Sequence, residues 1–144
     1  MKIVFRNSKI EFQSSYQWED VELTTPGAYL RGVGDSIQFV DYDPSTKTFT
    51  NANCCAAIIP IDDVAAIKFK GAGLNVGDYN IGFFTTEPTV DSFIKEVSVK
   101  DEAAKTYEGI LDLTTAKKAG AKYLFFGDYS KVADGKAYLK VARM

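Results

Sequence analysis

The feature that most constrains the fold is a series of short apolar segments between Ile59 and Val141. Each segment holds roughly five to seven residues rich in aliphatic and aromatic side chains and ends at Gly, Asp or Pro, which is typical of strands in an all-β protein. No amphipathic helical pattern persists for the roughly eleven residues of an average helix. The segments are spaced about ten residues apart, which predicts a two-sheet antiparallel β-sandwich that is jelly-roll-like in its strand arrangement.

The N-terminal segment differs in character from the rest of the chain. Residues 2–6 and 9–13 alternate charged and apolar side chains, which predicts two strands that each have one solvated face. A Pro-Gly turn follows. We therefore divide the chain into residues 1–25 and residues 26–144. The first part is a short N-terminal arm for attachment or oligomerisation, or else the first strands of the sandwich, and the second part is the jelly-roll sandwich.

Two connections are predicted from local sequence. Residues 51–57 show no periodicity and are predicted to form a loop or a single helical turn. The last two strands, at residues 123–126 and 138–141, are predicted to be joined by a hairpin-like Asp134-Gly135 turn.

The residue inventory excludes several classes of function. The chain has no histidine, so Ser-His-Asp catalysis, Cys-His catalysis and the usual zinc ligand sets are excluded, and we expect no enzymatic activity. Its 17 basic and 19 acidic residues give a net charge of -2 without a basic block, which argues against nucleic acid as a partner. The adjacent Cys54 and Cys55 are expected to be reduced thiols, as in a cytosolic protein.

The sequence carries no membrane signal. Its N-terminal residues lack the apolar run of a signal peptide. Nowhere do roughly eighteen apolar residues run together, so no membrane insertion is expected. We therefore expect the protein to be made and assembled in the cytoplasm.

Three tyrosines are candidates for binding sugar. Tyr42, Tyr79 and Tyr129 each lie beside an Asp at the end of a predicted strand, where a ring face and an acidic acceptor could contact a saccharide. The alternative is that they are amphipathic residues at the rim of the sandwich.

No cofactor is expected. A structural calcium ion is the alternative, because turn aspartates in β-sandwiches supply the hard oxygen ligands that calcium prefers. Otherwise these aspartates are solvated turn residues. The candidate ligands are Asp41, Asp43, Asp62 and Asp63.

Several segments together resemble a known family. In chain order they are IPIDDVAAIKFKGAG, YNIGFFTT, DSFIKEVSV, AKKAGAKYLFFGDYS and KAYLKV. This series resembles the galactose-binding-like jelly-roll domains of tailed-bacteriophage structural proteins, especially those of phages of gut Bacteroidetes. The residues that carry the resemblance are Gly71, Phe83, Phe84, Phe93, Ile94, Ala121, Lys122 and Tyr123.

The resemblance implies a non-enzymatic virion protein that assembles in the bacterial host cytoplasm with capsid or tail proteins, commonly as a homotrimer. Such a protein binds a host surface glycan or decorates the particle, as a head fibre, capsid decoration or tail fibre. The short chain favours an accessory capsid protein at least as much as the tip of a long fibre. Two alternatives remain open: a stand-alone bacterial carbohydrate-binding module, and a small sandwich enzyme that acts through carboxylate, Lys or Tyr side chains.

Overall fold

A computed structural model describes residues 3–4, 16–72, 75–100 and 106–144. These residues form mostly β-strands, together with the short helix α1 (Thr114–Lys118) and two 3-10 turns at Val90–Ser92 and Val132–Asp134. No helix in these ranges is long and apolar enough to cross a membrane. The strands are β1 (Ile3–Val4), β2 (Trp18–Val21), β3 (Tyr29–Val33), β4 (Ser36–Val40), β5 (Tyr42–Asp43), β6 (Thr48–Phe49), β7 (Cys55–Pro60), β8 (Val64–Ala72), β9 (Asp78–Tyr79), β10 (Ile81–Phe84), β11 (Phe93–Lys100), β12 (Thr106–Asp112), β13 (Tyr123–Asp128) and β14 (Tyr138–Arg143).

Two large sheets have the strand order of a jelly roll. The inner sheet has the order β1-β11-β10-β13-β7, and the outer sheet has the order β12-β8-β14-β2. When β1 is set aside and the other strands of these two sheets are counted along the chain, the inner sheet reads 5-4-7-2 and the outer sheet 6-3-8-1. This is the arrangement of a double Greek key. The pairs are antiparallel except for β1 with β11. The predicted all-β, jelly-roll-like sandwich is confirmed.

The first core lies between the inner and outer sheets. Strand β8 shows how the sequence builds it: Ile67 and Phe69 are fully buried, whereas Lys68 and Lys70 on the opposite face are only partly buried. The alternation breaks at Val64 because the pairing of β8 with β14 shifts between Ala142 and Arg143. The extra residue, Ala65, reverses the alternation beyond it, so Val64 is buried in the same core.

A third layer covers the other face of the inner sheet. Strands β4, β3 and β9 form a covering sheet, and a second apolar cluster lies between it and the inner sheet. Leu30 of the covering sheet and Phe125 of the inner sheet are both fully buried there. The inner sheet is therefore buried on both faces, which explains why its strands have continuous apolar sequences and not alternating ones.

Two of the local predictions are wrong. Residues 55–57, predicted to be a loop or a helical turn, belong to β7. Cys55, Ala56 and Ala57 are all buried, because β7 lies between the two cores and shows no alternation. The Asp134-Gly135 pair does not form a hairpin: β13 and β14 lie in different sheets, and Gly135 ends a 3-10 turn in the left-handed conformation.

The described part of residues 1–25 forms strands of both large sheets. Strand β1 pairs with β11, and β2 pairs with β14. The rings of Tyr16 and Trp18 lie 5.4 Å apart, and the Tyr16 hydroxyl donates to Asp112 Oδ2 at 3.4 Å. Since Trp18, Ala142, Ala66 and Asp112 form one row across the outer sheet, Tyr16 spans the two alanines. The strand predicted at residues 9–13 lies outside the described residues, and the attachment role of this segment stays a prediction.

Candidate functional site

A groove opens where the chain crosses from the outer sheet to the inner sheet. Strand β2 pairs with β14 as far as Val21, which lies opposite Leu139. Further along, Thr24 exchanges two backbone hydrogen bonds with Ala56 of β7, at 2.8 and 3.1 Å. Because β14 and β7 belong to different sheets, residues 22–23 cross from the edge of one sheet to the edge of the other. We call residues 21–24 the crossing segment, and the groove opens between this segment and Ile58.

The groove has a volume of ≈ 480 Å³, which is within the range of small-molecule sites. Strand β7 and the start of β13 form its base, the crossing segment forms one wall, and the β5–β6 hairpin forms another. The lining residues are Val21, Glu22, Thr24, Tyr42, Lys47, Phe49, Ala57, Ile58, Ile59, Pro60, Glu87, Pro88 and Tyr123.

Aromatic rings form the hairpin side of the groove. Tyr42 lies opposite Phe49 in the hairpin, with ring centroids 4.9 Å apart, and its ring also lies 5.9 Å from that of Phe125. Burial, together with the nearby charge of Glu87, raises the pKa of Tyr42, so its hydroxyl stays protonated near neutral pH. Tyr123 adds a partly buried ring from β13.

An ion pair lies among the lining residues of the groove. The ammonium group of Lys47 lies 2.8 Å from Glu87 Oε2. The hydrogen bond and the charge of Glu87 raise the pKa of Lys47, so the lysine stays charged. Both side chains are more than half exposed, at 63% and 53%. Their remaining donor and acceptor capacity therefore faces solvent and the groove, and is available to a polar ligand.

Backbone geometry holds the hairpin in place. Asp41 and Lys47, which immediately precede its two strands, have left-handed φ angles of 64° and 57°. The Asp41 carboxylate accepts a hydrogen bond from the Asn51 side chain at 2.8 Å, and its carbonyl accepts one from the Thr50 amide at 2.9 Å. The Lys47 amide donates to the carbonyl of Asp43 at 2.7 Å. These bonds fix the positions of the groove residues Tyr42 and Lys47.

The three predicted tyrosines lie in different surroundings. Tyr42 lines the groove, whereas Tyr79 lines a separate cavity of ≈ 310 Å³ together with Phe93. Tyr129 is 40% exposed, and its ring packs 5.6 Å from that of Tyr29. The structure therefore brings the predicted Tyr42 into the groove with side chains that sequence reasoning missed, namely Lys47, Phe49, Glu87 and Tyr123. Only two local features of the sequence indicated these residues: Lys47 ends a polar turn, and Tyr123 begins a predicted strand.

The four candidate calcium ligands are distributed among local contacts. Asp43 accepts hydrogen bonds from the Ser45 side chain and amide, which lower its pKa. Asp62 lies 3.7 Å from the Lys122 ammonium group, and Asp63 pairs with Arg143 at 3.0 Å. In the part of the chain that the structure describes, no group of three or more His, Cys, Asp or Glu side chains is placed to hold a metal ion.

The buried thiols should be chemically inert in the folded protein. Burial is the main cause that raises the pKa of Cys54 and of Cys55 to about 12 each, and nearby carboxylates add to it. A raised pKa leaves very little thiolate at pH 8, and the thiolate is the reactive species. We expect neither thiol to react with Ellman's reagent at pH 8 until the protein is unfolded in guanidinium chloride, where the pKa returns to about 8.5. Full reaction of the folded protein within minutes would contradict this burial.

Comparison with known proteins assigns no family. No family model matches the chain, and no solved structure gives a significant match. The ATP synthase gamma chain of Lactobacillus gasseri is 27% identical over 122 residues, which is 84% of this chain and 36% of that protein. The chain thus spans about a third of the curated relative it matches.

Proposed function

We propose that this protein is a non-enzymatic structural component of a bacteriophage particle, and that its groove binds a saccharide of the host surface. The observation that carries the saccharide part is the groove itself, where the rings of Tyr42 and Tyr123 lie beside the charged pair of Lys47 and Glu87. The jelly-roll strand order supports the virion part, because capsid and lectin domains both use this architecture.

The chemistry of the groove suits a sugar. A pyranose ring has an apolar C–H face that packs on an aromatic ring, and its rim of hydroxyl groups both donates and accepts hydrogen bonds. The carboxylates of Glu22 and Glu87 would accept from such hydroxyls, and Lys47 would donate to them. Hydrogen bonds to charged groups are the stronger kind and fix the orientation of a ligand.

In the particle, the protein would assemble with capsid or tail proteins as a head fibre, capsid decoration or tail fibre, commonly as a homotrimer, in the host cytoplasm. A stand-alone bacterial carbohydrate-binding module is the second candidate, and the same groove favours it equally. The mass of the purified protein by light scattering separates the two. A closed trimer supports the virion protein, and a monomer moves the binding module to first place.

The groove residues give the direct test of saccharide binding. We expect the purified protein to be retained on an array of bacterial surface polysaccharides. Replacing Tyr123 with Leu or Glu87 with Gln should each weaken retention at least about tenfold, the effect of losing one strong contact. The matched control is Val33→Ala, which changes a side chain that is 54% exposed in the covering sheet.

The melting temperature of each variant is measured as well, to test whether the fold is retained. The proposal is supported if the Val33→Ala protein is retained as well as the wild type and the two groove variants lose retention. If the groove variants are retained as well as the wild type, saccharide binding lies elsewhere on the protein. If no polysaccharide retains the wild type, the proposed saccharide binding is contradicted.

A further inference from the structure

The backbone amide and carbonyl of Ile58 point into the groove. In an antiparallel ladder, the backbone groups of successive residues point alternately toward and away from the neighbouring strand. Ala56 uses both its amide and its carbonyl to bond Thr24, on the side away from β13. The amide of Ile61 instead donates to Lys122, on the side of β13, at 3.0 Å. The amide and carbonyl of Ile58 therefore point away from β13, into the groove that Ile58 lines.

The neighbouring outward-facing positions on the same edge add no further free amide donor. Thr24 already occupies the backbone groups of Ala56. At the next outward-facing position, Pro60 has no amide hydrogen to donate. Among the described residues, no backbone group bonds to the amide or carbonyl of Ile58. Within the described ranges, the edge of β7 thus offers one amide donor, from Ile58, and two carbonyl acceptors, from Ile58 and Pro60. Thr24 bounds this stretch on one side, and Pro60 ends the row of amides on the other.

This boundary decides between two kinds of ligand. An extended peptide that adds a strand to a sheet edge gains its affinity from a row of main-chain hydrogen bonds, and an edge with a single amide donor supplies too few. Proline at an edge is also a common means of preventing strand addition. A sugar ring, by contrast, presents adjacent hydroxyl groups that can accept from one amide and donate to the neighbouring carbonyl.

We propose that the amide and carbonyl of Ile58 bind the hydroxyl groups of one sugar ring, and that the groove takes a compact saccharide and no extended peptide. The inference rests on the proposed saccharide binding and adds the main-chain group that orients the sugar. The ring of Tyr123 would contact the apolar face, while Ile58 binds its hydroxyl rim.

The test is a titration of the ¹⁵N-labelled full chain followed by its amide signals. The probes are the methyl pyranosides of glucose, galactose, mannose and rhamnose at millimolar concentration, and a capped four-residue Thr/Val peptide. We expect at least one pyranoside to shift the Ile58 amide signal and the peptide to leave it unchanged. The variant Ile58→Pro removes this amide without removing a bond of the β7–β13 ladder, and it should weaken pyranoside binding at least tenfold. Val33→Ala is the control and should leave binding unchanged.

Each outcome has a distinct meaning. This inference is overturned if a pyranoside shifts the amide signals of Tyr123 and Glu87 but not that of Ile58. It is also overturned if the Ile58→Pro protein binds the pyranoside as well as the wild type does. Either result leaves saccharide binding itself intact. A peptide that shifts the Ile58 signal when the sugars do not would also overturn it. If no pyranoside produces a shift and no polysaccharide retains the protein, the proposed function itself fails. If the Ile58→Pro protein does not fold, the shift of the Ile58 amide signal in the wild-type protein alone decides whether Ile58 binds the sugar.

Discussion

Truncating Phe125 to Ala should lower the free energy of unfolding by about 3–5 kcal/mol, and truncating its neighbour Phe126 should do the same. Adjacent residues of a strand point to opposite faces. Both rings are nonetheless fully buried: Phe126 lies in the core between the two large sheets, and Phe125 lies beneath the covering sheet. The Phe125 ring lies 6.0 Å from that of Phe39 and 6.3 Å from that of Phe49.

Urea unfolding followed by tryptophan fluorescence measures these losses. The control is Ile110→Ala on the outer sheet, where the side chain is partly exposed, and it should cost about 1 kcal/mol or less. In a simple two-layer sandwich only one of the two phenylalanines would be buried. A cost below about 1 kcal/mol for Phe125→Ala would therefore contradict the packing of the covering layer.

Replacing Gly27 with Ala should destabilise the protein by about 3 kcal/mol, because the added methyl group has no room. An ideal β-carbon at this position would lie 2.5 Å from the Cα of Cys55 and 2.7 Å from the carbonyl oxygen of Cys54. These are backbone atoms, which cannot rotate away. Gly27 also exchanges two backbone hydrogen bonds with Asn51, at 2.7 and 3.0 Å, so neither side of the contact is free to shift.

The matched control is Gly34→Asn. Gly34 has a φ of 62° with nothing within 4 Å of an added β-carbon, and asparagine adopts this conformation more readily than most residues. We expect a change of less than about 1 kcal/mol there. Differential scanning calorimetry reports both variants, and a Gly27→Ala protein as stable as the control would show that the start of the covering layer does not pack against β7.

The fold was predictable where one face of a strand meets solvent. In strand β8, Ile67 and Phe69 alternate with lysines, which indicates a strand even though Val64 and Ala66 do not keep the alternation. Strand β7 was partly missed, because burial on both faces removes the alternation on which the prediction depends. The covering sheet could not be inferred at all, since it depends on contacts between Leu30 and the distant Phe84 and Phe125, which no local pattern records.

The candidate site was predictable only in part, for the same reason. Tyr42 was identified because it lies beside an Asp at the end of a strand, and it does line the groove. Its partners Glu87 and Tyr123 come from distant parts of the sequence and meet Lys47 only where the β5–β6 hairpin packs beside β7 and β13. Tyr79 and Tyr129 carried the same local signal as Tyr42 but lie in other surroundings.

The most direct test of the account is saturation-transfer difference NMR on the purified protein with a saccharide that the polysaccharide array retains. We predict that the protons of one face of a single sugar ring receive most of the saturation, and that this transfer is largely lost in the Tyr123→Leu protein. Absence of transfer to any retained saccharide, or undiminished transfer in the Tyr123→Leu protein, would contradict the assignment of the groove as the saccharide site.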